Sequence, residues 1–121
     1  MKLGQQEKQE LIKMQAPLFS MRGVNATSDV TDQKRQLKLL QRRLRKHRSG
    51  TLILNANARK FLYVLSGTCP LDGRDECYYG SDCARCLLRA LNNWRSATIP
   101  VSLLQKKVNK ALKAIDKSLK T

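Results

Sequence analysis

From Gln33 to Leu71 the chain carries no acidic side chain. The same interval holds Lys34, Arg35, Lys38, Arg42, Arg43, Arg45, Lys46, Arg48, Arg59 and Lys60, together with the only histidine, His47. A run of one sign repels itself on compaction. Such a segment therefore folds with its cations turned outward from an apolar stripe, or with a polyanion neutralising them. The stripe is present. Val30, Leu37, Leu40 and Leu44 are spaced 7, 3 and 4, which places them on one face of a helix predicted to run to about Arg48. Ser28 or Asp29 can cap its start, Asp29 and Asp32 suit the positive end of its dipole, and Gly50 stands where a helix stops.

The other elements follow by the same logic. Residues 5 to 15 predict a short helix limited by Pro17, and 17 to 28 read as a loop. Thr51 to Leu54 fits a short strand or a helix start equally well. Residues 55 to 65 predict a helix burying Ala58, Phe61, Leu62 and Leu65 and ending at Gly67. A helix from about Cys83 to Arg95 would bury Leu87, Leu88, Leu91 and Trp94. Pro100 opens a last helix to about Leu119, with Ser102 and Gln105 at capping-box spacing and a stripe of Leu104, Val108, Ala111, Leu112, Ile115 and Leu119. The expected fold is mainly α, a small helical domain with a four-cysteine zinc-binding loop, and a short β-hairpin there, at the start of a helix. Its division is an N-terminal helix and loop over 1–27 and a basic helical domain over 28–121, with a zinc module at 68–95 and a C-terminal helix at 100–119.

Cys69, Cys77, Cys83 and Cys86 fall within 18 residues as C-x7-C-x5-C-x2-C. Structural zinc takes four soft ligands in a tetrahedron, and two cysteines three apart on a first helical turn present their sulfurs to one side. A helix N-terminus also lowers thiol pKa toward the thiolate that zinc requires. One structural Zn2+ held by these four cysteines is therefore expected; His47 could replace a thiolate, but its place inside an Arg/Lys run favours a solvent-facing side chain. Two disulfides, unbonded buried thiols, or a redox C-x-x-C at Cys83 and Cys86 are the alternatives. The C-x2-C pair opening a helix resembles the second half of a treble-clef zinc finger over Cys83 to Arg95. The long first spacing departs from that family, so no residue role is carried over.

Across all 121 residues, 24 lysines and arginines face 9 acids, a net charge of +15. Length fits one domain, with or without tails, and 41% hydrophobic residues supply a modest core, which excludes wholesale disorder. No run approaches the ~18 apolar residues of a membrane span. The polar stretch from Gly4 to Glu10 lacks the apolar core of a secretory leader, and Glu7 and Glu10 count against a mitochondrial presequence. The expected location is therefore cytoplasmic rather than secreted, or nuclear or nucleoid-associated if the partner is DNA.

Catalysis has no foothold. No P-loop, dinucleotide fingerprint, metalloprotease helix or nucleophile elbow is present, and His47 sits among cations without a partner. The expectation is a non-enzymatic, zinc-stabilised protein that binds DNA or structured RNA and regulates transcription. Lys34, Arg35, Lys38, Arg42, Arg43, Arg45, Lys46, Arg48, Arg59 and Lys60 are its candidate contacts, since arginine grips phosphate bidentately. A different class of function is an adaptor for a protein machine such as RNA polymerase or the ribosome, docking through Asp72, Asp75, Glu76 and Asp82 beside the cysteines; a ribonucleoprotein component is related. A third is a C-terminal helix that lies on a membrane surface, although that helix lacks an aromatic anchor. The same apolar stripe would also serve as a homodimer seam.

Overall fold

The computed structural model describes residues 13–27, 29–47, 50–67 and 84–119. Four helices and a two-stranded sheet make up these residues, beside a helical turn at 13–15. In chain order they are α1 (Val30–Arg45), β1 (Thr51–Ile53), α2 (Ala56–Leu65), α3 (Ala84–Asn92), β2 (Thr98–Pro100) and α4 (Val101–Leu119). The mainly helical expectation holds. The expected helix over 5–15 is seen only as its last turn, the rest lying outside the described residues.

The start of α1 is set by Asp29. Its carboxylate accepts from the Thr31 and Asp32 amides at 2.8 and 3.4 Å, satisfying donors that an uncapped helix leaves open. Leu37, Leu40 and Leu44 are fully buried. Truncating any one to alanine would cost about 2–5 kcal/mol. The buried face also carries two glutamines, each with a partner. Gln33 donates to the Leu65 and Ser66 carbonyls at 3.2 and 2.8 Å, closing the end of α2, while Gln36 donates to Asp32 and accepts from the Asn25 amide. α2 itself begins at Asn55, whose side chain accepts from the Ala58 amide. It ends where Gly67 adopts φ +69°; a Cβ there would strike the Thr27 carbonyl oxygen, so only glycine fits.

β1 and β2 pair antiparallel, Thr51 opposite Pro100, Leu52 opposite Ile99 and Ile53 opposite Thr98. Leu54 N to Ala97 O and Val101 N to Gly50 O extend the ladder at both ends. Leu52 and Ile99 turn inward and are buried. The outward backbone of Ile53 is met by the Gln15 carboxamide, which both donates to the Ile53 carbonyl (2.7 Å) and accepts from its amide (2.8 Å). Pro100 has no amide to expose, and the Trp94 indole donates to the Thr98 carbonyl. The strand pairing resolves the ambiguity at Thr51 to Leu54. It also puts Pro100 at the end of a strand, so that α4 starts at Val101 and Ser102 lies inside the helix instead of capping it.

α4 packs against both α1 and α3, and α2 packs on α3. One continuous core results, from Leu18 and Phe19 through Phe61 and Leu88 to Leu104, Val108 and Ile115. α3 is shorter than expected and ends at Asn92.

Candidate nucleic-acid interface

Three contacts fix how α1 lies on α4. Lys34 pairs with Asp116 at 2.6 Å, Gln41 donates to Asn109 at 2.8 Å, and Gln105 donates to the Leu44 carbonyl at 3.4 Å. Numbers rise along α1 as they fall along α4, so the helices are antiparallel. On α1, Lys38, Arg42 and Arg45 are exposed at spacings of 4 and 3; on α4, Lys106, Lys110, Lys113 and Lys117 are exposed at 4, 3 and 4. The register puts Lys38 level with Lys113, and Arg45 with Lys106, within about 3 Å along the axes. Two rows of cations thus run side by side, and Asp116, the acid of α4, is occupied by Lys34. Like charges on successive helical turns repel one another, a cost that a bound polyanion removes.

A depression of about 230 Å³ lies over the seam, lined by Gln41, Leu44, Arg45, Gln105, Val108 and Asn109. The aromatic side chains described are elsewhere. Phe19 and Phe61 are buried against each other at 5.5 Å between ring centroids, Trp94 is half-buried before β2, and Tyr63 is exposed on α2.

The predicted contact residues divide into three groups. Lys38, Arg42, Arg45 and Lys46 are exposed on α1, and no described partner engages them. Lys34 and Arg35 are exposed in part but paired, Arg35 with Asp32 at 2.8 Å and with the Gly23 carbonyl. That hydrogen bond from Arg35 holds the Asp32 carboxyl below its ordinary range. Arg43 and Arg59 serve the fold. The Arg43 guanidinium donates to the carbonyls of Leu18 (3.1 Å), Ser20 (2.8 Å) and Arg22 (3.1 Å) and lies over the Phe61 ring at 5.9 Å. Its burial lowers its pKa from the ordinary arginine value, and it remains cationic at neutral pH. Arg59 donates to the Asn92 and Ser96 carbonyls, tying α2 to the end of α3. Lys60 lines a separate cleft with Gln15, Phe19 and Met21. Arg48 lies outside the described residues.

So do Cys69, Cys77, Cys83, Asp72, Asp75, Glu76 and Asp82, and with them the expected zinc loop, its hairpin and the acidic docking residues. Cys86 stands half-buried in the first turn of α3, just ahead of buried Leu87 and Leu88. Among the described residues no three His, Cys, Asp or Glu side chains stand close enough to hold a metal ion. His47 is half-buried beyond the end of α1, its amide bonded to the Leu44 carbonyl.

The lysines of α4 are plain in the sequence, but that they lie beside the cations of α1 is not. The signal was the shared 4-and-3 spacing of both cation rows, which does not say which helices lie side by side. No described helix is long and apolar enough to cross a membrane. Comparison with protein-family models, curated proteins and solved structures finds no match.

Proposed function

We propose that this chain binds nucleic acid through the paired basic faces of α1 and α4, without catalysing a reaction, and that it regulates transcription. The observation that carries this reading is the alignment of two exposed cation rows on antiparallel helices. A solvated surface normally mixes signs. Among the described residues, the acids of these two helices, Asp32 and Asp116, are paired with Arg35 and Lys34. Phosphates along a nucleic-acid chain complement such rows, and release of their counter-ions supplies the binding free energy.

One structural zinc on Cys69, Cys77, Cys83 and Cys86 belongs to the same proposal. It is supported by the four-cysteine spacing and by the place of Cys86 at the start of a helix. The ion would supply folding free energy, on the order of 10 kcal/mol, to a body whose net charge opposes compaction.

Fluorescence anisotropy with labelled DNA and RNA at 50 to 200 mM salt tests the binding. Affinity should fall linearly on a log–log scale as salt rises; no binding at 50 mM to either polymer refutes the reading. Metal analysis of protein purified without chelator should give about one zinc per chain, and less than about a third of an equivalent refutes the metal assignment.

A further inference from the structure

Two widths decide how a duplex would meet this face. An α-helix with its side chains is about 10–12 Å across and packed helices lie 8–10 Å apart, so α1 and α4 together are about 20 Å wide. The major groove of DNA is about 12 Å wide and 8.5 Å deep, room for one helix. Nor does α1 project on its own. On one flank it is bonded to α4 through Gln41 and Asn109. On the other, Arg43 and Arg35 bind it to the carbonyls of the loop from Leu18 to Gly23. The carboxamides of Gln41 and Asn109 are of the type that reads base edges, but they sit in the valley between the helices and bond each other. The face also carries no described aromatic on which the bases of a single strand would stack.

We infer that the face binds double-stranded nucleic acid by its phosphates alone, lying across a groove with one cation row on each strand. This rests on the nucleic-acid reading above and adds the strandedness and the absence of base readout. From Lys106 to Lys117, α4 spans about 16 Å, which equals the rise of about five base pairs along the duplex axis. DNA and RNA duplexes share this chemistry.

The test uses the full chain and labelled 24-base-pair DNA duplexes of two unrelated sequences, their single strands, and an RNA duplex. The two DNA sequences should bind within about twofold of each other, and single strands at least about tenfold more weakly. Tighter binding of either duplex type supports the inference and names the polymer. Replacing one row (Lys106→Gln with Lys113→Gln) should flatten the salt slope by about two, as should Lys38→Gln with Arg42→Gln on the other. Lys106→Arg with Lys113→Arg should restore the slope, which separates charge loss from misfolding. Single strands binding as tightly as duplexes, a tenfold preference between the DNA sequences, or an α4 pair that leaves the slope unchanged would overturn it. Failure to bind any nucleic acid overturns the proposed function instead.

Discussion

Arg42 and Arg43 are neighbours in sequence, one exposed and one clamped to a loop, and replacing them one at a time separates stability from the proposed binding. In Arg43→Ala three hydrogen bonds from a cation vanish, to the carbonyls of Leu18, Ser20 and Arg22. Two are partly buried and the third is exposed. Bonds to charged groups contribute about 1.5–3 kcal/mol each. Taking the two partly buried ones at the lower figure, with about 0.5 kcal/mol for the Phe61 contact, gives about 3.5 kcal/mol. A domain of this size is stable by about 5–15 kcal/mol, so the loss is severe without being fatal. At about 2.1 cal/mol/K of unfolding entropy per residue, it corresponds to a fall in Tm of about 14 °C. Arg42→Ala removes an exposed side chain and should change stability by less than about 0.5 kcal/mol. Below its melting point Arg43→Ala should keep the salt slope of nucleic-acid binding, while Arg42→Ala lowers it by about 0.9. Thermal melts followed by circular dichroism and salt titrations by anisotropy read both quantities. Melting temperatures for the two variants within 2 °C of each other would refute the assignment of Arg43 to the fold.

Three further outcomes follow from local geometry. Gly67→Ala should cost more than about 2 kcal/mol in urea unfolding, because a left-handed backbone penalty of about 1–2 kcal/mol adds to the collision with Thr27; a neutral effect would contradict the placement of that turn. Gln15→Ala strands both backbone groups of Ile53 and should cost about 2 kcal/mol in urea unfolding, with Gln15→Glu at least as costly because it sets a buried carboxylate against the Ile53 carbonyl oxygen; a neutral Gln15→Ala would contradict the bridge. Asp32 is held below its ordinary pKa of 3.8 chiefly by Arg35. A depressed carboxylate lends stability above its unfolded pKa and loses it as pH falls through the folded value. Asp32→Asn should therefore flatten the fall of Tm below about pH 4, and an unchanged acid limb would show that the pair contributes nothing.

What was legible in the residues is what local chemistry writes. Asp29 as cap, the Leu37, Leu40 and Leu44 stripe, the buried side of α2 and the glycine after it all follow from spacing and propensity, and the fold bears them out. The strand at Thr51 stayed ambiguous because its partner is Pro100, far along the chain, and three residues carry no periodicity of their own. The capping-box pattern of Ser102 and Gln105 misled for a related reason. β2 holds Pro100 in the sheet, the helix starts earlier, and Gln105 reaches across to the Leu44 carbonyl. In the candidate site, composition marked the cations but could not tell an exposed cation from a clamp. Arg43 and Arg42 differ only in which way one helix turn points them, and that depends on where the loop from Leu18 to Arg22 returns.

The antiparallel apposition of α1 and α4 also sets a schedule for synthesis. At about 5–20 residues per second, roughly 4–16 s separate the emergence of Lys34 from that of Asp116. Throughout that interval the leucines of α1 lack their cover, on a strongly cationic nascent chain emerging beside ribosomal RNA. The decisive packing step of this fold thus waits for the last helix to be made.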